Sequence, residues 1–384
     1  MNPDVLDRVR RQLVDAGSPP RRAALAALVR QDAGALAGHG QVLGLVREAE
    51  SELAGAGPLQ PLLDQTGVTD VLVNGPDSVW VDRGGGLVRS DVRFTDEGAV
   101  RGLAQRLAAL AGRRLDDASP YVDAVLPDGT RLHAVLPPVA PAGTCLSLRT
   151  FTARAFTIEE LEAAGTLRNG AALLLRAIVR ARAAFLVSGG TGSGKTTLLA
   201  SMLGLVDRGE RLILVEDAAE LRPAHPHVVR LTARPPNVEG AGEVSLRDLV
   251  RQALRMRPDR LVVGEVRGAE VVELLTALNT GHAGSGGTLH ANSAAQVPAR
   301  LEALGALGGL DRHAVRSQVA AALQVAIHLG RRAHGTRVLA EVGVFQRHGD
   351  EMEVLPAWRY DSGPAGGWDV LTELLGPHLV GSKS

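Results

Sequence analysis

The sequence predicts an α/β protein in which a parallel sheet covered on both faces by helices follows a smaller α+β domain and a helical N-terminal extension. Three observations carry this. From about residue 166, short apolar strands alternate with helices, as in a parallel sheet buried on both faces. Between residues 57 and 150, several short strands surround a single amphipathic helix instead. Finally, an apolar run at 183–187, long enough for one buried strand, leads through a glycine-rich loop into an apolar helical run at 198–205.

Residues 1–56 read as the helical extension. Val5, Leu6, Val9 and Leu13 recur at helical spacing, and 23–29 and 42–53 give two more helices. Arg8, Arg10, Arg11, Arg21 and Arg22 make it locally basic, the pattern of a solvated face, with a docking surface as the alternative. The α+β domain spans 57–150. Its strands are expected at 68–73 and 79–82 around the Asn74-Gly75-Pro76-Asp77 turn, then at 88–94, 122–126, 131–136 and 145–149. Pro127-Asp128-Gly129 is a hairpin turn. The helix at 96–111 places Val100, Leu103, Leu107 and Leu110 on one face.

Residues 151–165 form a linker with a short helix. The main α/β domain spans 166–350, with strands after the glycine-rich loop at 211–215, 228–231, 260–263 and 287–289. Helices between them start near Ser245, Ala269 and Ser293, and a helix at 311–324 with strands near 325–329 and 337–344 closes the domain. In the C-terminal segment, 351–384, residues 361–367 and the last four are expected to be disordered.

Composition narrows the function. A chain of 384 residues suggests two or three domains, and 45% hydrophobic with 3% aromatic residues means cores of Leu, Val and Ala. Basic and acidic residues balance at 42 each, so nothing suggests a groove for nucleic acid, which is not an expected partner. One cysteine, Cys145, excludes an internal disulfide and suits a reducing compartment. Residues 1–15 lack the apolar core of a signal peptide, and the best long apolar stretch, 173–187, is broken by Arg176, Arg180 and Arg182. A soluble cytoplasmic protein is expected, reaching a membrane through partners.

Gly189-Gly190-Thr191-Gly192-Ser193-Gly194-Lys195-Thr196 fits G-x-x-x-x-G-K-[ST], and Thr197 follows in the helix. Backbone N–H groups freed by the glycines can close around a polyphosphate, and the helix N-terminus adds its dipole. Lys195 is suited to the β- and γ-phosphates of ATP and the Thr196 hydroxyl to Mg²⁺. Two later strands end in acids. Glu265 follows the strand at 260–263, where it could hold the Mg²⁺ shell; Glu216 and Asp217 follow the strand at 211–215, with Glu216 the candidate general base. His290 ends a further strand and could hydrogen-bond the γ-phosphate; His282 lies upstream in the same glycine-rich stretch. Arg131 and Arg149, at strand ends of the earlier domain, are candidates for stabilising transition-state charge.

These blocks, in this order, resemble the type II/type IV secretion ATPase superfamily, and most of all its tight-adherence (Flp) pilus branch, the TadA/CpaF ATPases. The resemblance runs from about residue 57 to 345. It includes Val71-Leu-Val-Asn-Gly-Pro76, Pro127-Asp-Gly-Thr-Arg-Leu132 and Leu136-Pro-Pro138, then the loop itself and Val215-Glu-Asp-Ala-Ala-Glu-Leu221. Arg234-Pro-Pro-Asn237, Ala253-Leu-Arg-Met-Arg-Pro-Asp259, Gly264-Glu-Val-Arg-Gly268 and Thr288-Leu-His-Ala-Asn-Ser293 complete it. The resemblance implies a RecA-like ATPase domain behind the α+β domain, ATP between the two, and a homo-hexamer working on inner-membrane platform proteins. It assigns Lys195 and Thr196 to phosphate and Mg²⁺, Glu216 to the Asp box, Glu265 to the Walker B strand and His290 to the His box. Arg131 and Arg149 match arginines that the family's N-domain offers to the γ-phosphate. Where the family usually has an acid after the histidine matching His282, this chain has Ala283. The tetracysteine zinc site of some relatives has no counterpart, so no structural zinc is expected. The alternatives are a conjugation- or DNA-uptake-type secretion ATPase, a RecA-like nucleic-acid motor, and a nucleotide-binding scaffold without turnover.

Overall fold

A computed structural model describes residues 55–150, 155–236, 240–332 and 335–379. The expected helical extension lies outside these residues except for Gly55 and Ala56, as do positions 151–154 and the last four residues. The chain divides into two compact units, with the division between Thr152 and Ala153.

In the first unit the strands are β1 (Asp70–Asn74), β2 (Val79–Asp82), β3 (Leu87–Arg89), β4 (Tyr121–Val125), β5 (Arg131–Val135) and β6 (Cys145–Arg149). They form one antiparallel sheet in the order β3-β2-β1-β6-β5-β4. Alternation does the sorting: Val71, Val73, Val79, Val81, Leu132, Ala134, Leu146 and Leu148 turn inward and are buried. Helix α1 (Glu97–Leu110) covers them with Val100, Leu103, Ala104 and Leu107, and Asp96 caps its start by accepting from Ala99 N at 2.8 Å. The strand expected over 88–94 stops at Arg89. There the Ser90 hydroxyl accepts from Val92 N at 3.2 Å, a local partner that competes with the sheet ladder.

The second unit runs through α2 (Ile158–Ala163), α3 (Ala171–Arg180), β7 (Phe185–Gly189), α4 (Lys195–Leu203), β8 (Leu212–Glu216), β9 (Val228–Thr232) and α5 (Leu246–Ala253). It continues with β10 (Arg260–Val266), α6 (Glu270–Asn279), β11 (Gly286–Leu289), α7 (Val297–Leu307), α8 (Arg312–Ala322) and β12 (Val325–Arg331). β13 (Arg337–His348), β14 (Glu351–Arg359), β15 (Gly363–Pro364) and α9 (Trp368–Leu375) complete it. The sheet order is β15-β14-β13-β12-β7-β11-β10-β8-β9. The six strands from β12 to β9 run parallel, and β13 to β15 extend that sheet antiparallel.

Because side chains alternate along a strand, the sheet separates two apolar layers. Phe185, Val187, Leu212, Leu214 and Val262 face one layer with α3 and α4. Leu186, Ile213, Val215, Leu261 and Val263 face the other with α5 to α8. This is an α/β fold of the RecA-like kind with its own N-terminal α+β unit.

Residues 361–367, expected to be disordered, instead join the fold. Ala365 N donates to Ala357 O and Gly367 N to Pro356 O, each at 2.8 Å, and the buried Trp358 and Leu371 anchor both flanks. No helix among the described residues is long and apolar enough to cross a membrane.

Candidate functional site

Parallel strands deliver their C-terminal ends to one edge of the sheet, and chemistry gathers there. β7, flanked on both sides by parallel neighbours β11 and β12, ends at Gly189 and opens the glycine-rich loop. The loop re-enters helix at Lys195 behind Gly194, whose φ of +99° belongs to the left-handed region where a side chain is strained. Gly190, Thr191 and Gly192 are exposed, Ser193 and Lys195 are buried, and Gly194, Thr196 and Thr197 are half-buried. Lys195 Nζ donates to the carbonyls of Gly189 and Gly190, both at 3.1 Å.

The ends of β8, β10 and β11 bring three further side chains to this edge. Lys195 Nζ stands 3.4 and 3.5 Å from the two ring nitrogens of His290, the residue after β11. His290 Nε2 is 2.6 Å from Glu265 Oε1, although that oxygen receives no properly directed hydrogen bond. Burial, and then the Lys195 ammonium, hold the His290 pKa below the usual imidazole value. The imidazole thus lies between the ammonium and the carboxylate, within contact of both.

Glu216, last residue of β8, is 4% exposed. Its Oε1 accepts from Leu221 N at 2.8 Å and Glu220 N at 3.1 Å, while Oε2 is buried without a partner among the described residues. Burial pushes its pKa up to about 7, against the pull of those two amides. Space for it depends on a neighbour: a Cβ at Gly264 would lie 2.7 Å from Glu216 Cγ. Asp217, the other acid at this strand end, is exposed.

Of the seven buried side-chain polar atoms left without a partner among the described residues, three belong to Ser193, Glu216 and Glu265 at this one edge. Such orphaned groups cost free energy unless a ligand meets them. Arrayed around a glycine loop, an ammonium and a helix N-terminus, they suit a polyphosphate with a hard divalent cation. The Thr196 hydroxyl and the Glu265 carboxylate are the oxygen groups at this edge that the sequence singles out for that cation.

Proton linkage at Glu216 is directly measurable. In the folded chain Glu216 keeps its proton to about pH 7, but in the unfolded chain only to its ordinary 4.5. The folded state binds more protons between those values, so stability falls as pH rises through that window. The cost of keeping the carboxylate ionised approaches about 3 kcal/mol above pH 7. Without nucleotide, Glu216→Gln should melt above the wild type at pH 8, and the two should converge as pH falls towards 5. Identical melting at both pH values would contradict the burial argument.

Arg131 and Arg149 lie in the first unit. They are register partners on β5 and β6, Asp70 is opposite Arg149 on β1, and Arg149 Nε donates to Asp70 Oδ1 at 2.8 Å. Arg131 Nη2 lies 3.7 Å from Asp123 Oδ2. His282 is absent from the cluster around Lys195; its Nδ1 meets the Ala277 carbonyl at 3.1 Å, near the end of α6.

Sequence reasoning passed over four residues. Arg267 grips Glu265 Oε2, with Nε at 2.6 Å and Nη2 also in contact, and its Nη1 lies 3.7 Å from Asp217. Glu270 accepts from Arg267 N at 2.6 Å and Gly268 N at 2.8 Å, fixing the turn after β10. Both are close in sequence to Glu265, so a signal existed. Arg331 and Arg337, which bond the loop carbonyl of Gly192, come from a distant hairpin and left none.

A family model described as type II/IV secretion system protein matches residues 52–343. A Mycobacterium tuberculosis protein provisionally named for conjugal transfer is 60% identical over 326 residues, covering 83% of this chain and 93% of its own. The type IV secretion system protein PtlH of Bordetella pertussis is 34% identical over 266 residues, covering 63% of this chain and 78% of its own. Among solved structures, the pilus retraction motor PilT with bound ADP aligns with a TM-score of 0.53 at 24% identity, over 80% of this chain and 82% of that one. The Legionella pneumophila ATPase DotB aligns at 0.52 and 21% identity, over 72% and 77%. Both likenesses concern the fold.

Proposed function

The chain belongs to the type II/IV secretion system protein family, and from that premise we propose that it is a Mg²⁺-dependent ATPase that powers secretion or pilus assembly. One observation carries the reading: Lys195, His290 and Glu265 form a continuous chain of contacts beside the phosphate-type loop, with the buried Glu216 against Gly264 of the same Glu265 strand. Loop amides and Lys195 bind and orient the polyphosphate, Thr196 and Glu265 hold Mg²⁺, and Glu216 takes the proton of the attacking water. His290 bridges Lys195 and Glu265 and reports the state of the phosphates. When bound, Mg²⁺ supplies charge neutralisation to the β- and γ-phosphates. Arg131 and Arg149 would add positive charge at the γ-phosphate, following the family pattern.

The protein would act in the cytoplasm as a homo-hexamer docked on inner-membrane platform proteins. The motif blocks favour the tight-adherence pilus branch. The 60% identical relative named for conjugal transfer favours the second reading, a conjugation-type ATPase. Purified full-length protein should hydrolyse ATP only with a divalent cation, and sedimentation should show a six-subunit species. Failure to bind ATP or ADP at millimolar concentration would end the ATPase reading. Turnover stimulated by DNA, with steep salt dependence, would move the protein to the conjugation branch or to a nucleic-acid motor.

A further inference from the structure

The hairpin of β12 and β13 ends beside the phosphate-type loop. β12 runs parallel to β7, with Leu329 opposite Gly189, so the strand end and the loop start are neighbours. Arg331 and Arg337 are register partners across that hairpin, and so share one face. Both guanidinium groups converge on a single atom. Arg331 Nη2 donates to the Gly192 carbonyl at 2.8 Å and Arg337 Nε donates to the same oxygen at 2.9 Å.

We propose that Arg331 and Arg337 are positioning residues of the loop, which hold the Gly192–Ser193 peptide in one orientation and so set the affinity for the polyphosphate. The proposal rests on the ATPase reading above. Two like charges directly opposed across strands repel, and neither has a carboxylate partner among the described residues. Arg332, between them in sequence, differs: it pairs with Asp361 at 2.7 Å and lies 5.3 Å over the Tyr360 ring. What offsets the repulsion is the pair of charge-assisted bonds to one carbonyl.

Gly192 is part of the device. Its φ of +67° is left-handed, and a Cβ there would stand 2.8 Å from Arg331 Nη2. A glycine so placed is otherwise free to rotate, and its peptide would have to be ordered at the moment of binding. Two external donors fix it beforehand, and a pre-ordered loop binds its anion more tightly. Uniform tightening of ground and transition states changes KM and leaves kcat nearly alone.

The test uses the full-length protein and Arg331→Gln, Arg337→Gln, the double variant, the corresponding double lysine variant, and Arg332→Gln. The double glutamine variant should weaken ADP binding and raise KM for ATP about tenfold or more, with kcat within about threefold. The lysines, which keep a charged donor, should recover much of that affinity. Hydrogen exchange of amides 190–194 without nucleotide should quicken in the double glutamine variant and stay unchanged in Arg332→Gln. Unaltered loop exchange and KM in the double variant would overturn the proposal. So would an equal loss in Arg332→Gln, which would reduce the effect to hairpin charge. If wild-type protein binds neither ADP nor ATP, the ATPase reading falls instead, and loop exchange still judges the clamp.

Discussion

Lys195→Ala should lose ATP hydrolysis by about a thousandfold or more in kcat/KM while the fold remains intact. Lys195 stands in the first turn of α4, nearly buried, with its ammonium on the carbonyls of Gly189 and Gly190. Burial draws its pKa down, and the Glu265 carboxylate opposes that. An ammonium held this way is costly to the folded state. In phosphoryl transfer, catalysis is mostly positioning and charge stabilisation around the transferring group, so the missing charge is felt fully in the transition state. The melting temperature should stay within a few degrees of wild type or rise, because alanine removes a desolvated charge. Steady-state turnover and thermal melting on the same preparation check both halves. Turnover within tenfold of wild type would show that the loop does not hold the reacting phosphates.

The site was legible because its residues directly follow apolar strands. Phe185 to Val187, Leu212 to Val215 and Leu261 to Val263 read as strands buried on both faces, and their alternation with helices points to a parallel sheet. Parallel strands share one C-terminal edge, so the sequence alone gathers Gly189, Glu216, Glu265 and His290 there. The C-terminal segment was not legible for the opposite reason. Tyr360 is tied by its hydroxyl to Gly165 O at 2.9 Å and by its carbonyl to Asn169 Nδ2 at 2.7 Å, contacts spanning 195 and 191 residues. A Gly- and Pro-rich stretch looks disordered locally when its order comes from such distant partners. The clamp on Gly192 was hidden likewise: its arginines lie 139 and 145 residues beyond the loop they hold.

The choice between the two acids decides the mechanism, and Glu216→Gln should settle it. Glu265 is tied to charged and polar neighbours: Arg267 Nε donates to its Oε2 at 2.6 Å and His290 Nε2 lies 2.6 Å from its Oε1, so it is held in place beside the loop, a setting for orienting and ligand-holding rather than for proton abstraction. Glu216 has a buried, unpartnered Oε2 and a pKa pushed up to about 7, which places its proton affinity near the working pH of a general base. Removing that base should lower kcat about 10²- to 10⁴-fold, while ADP affinity stays unchanged because glutamine can still accept from Leu221 N and Glu220 N. A base acts only when deprotonated, so wild-type kcat/KM should climb as pH rises through about 7, and the residual rate of Glu216→Gln should lose that climb. Rates and pH profiles of Glu216→Gln and Glu265→Gln, measured side by side, separate the roles. Should Glu216→Gln keep near wild-type turnover while Glu265→Gln loses it together with the pH dependence, proton abstraction belongs to Glu265, and the raised pKa of Glu216 reflects burial alone.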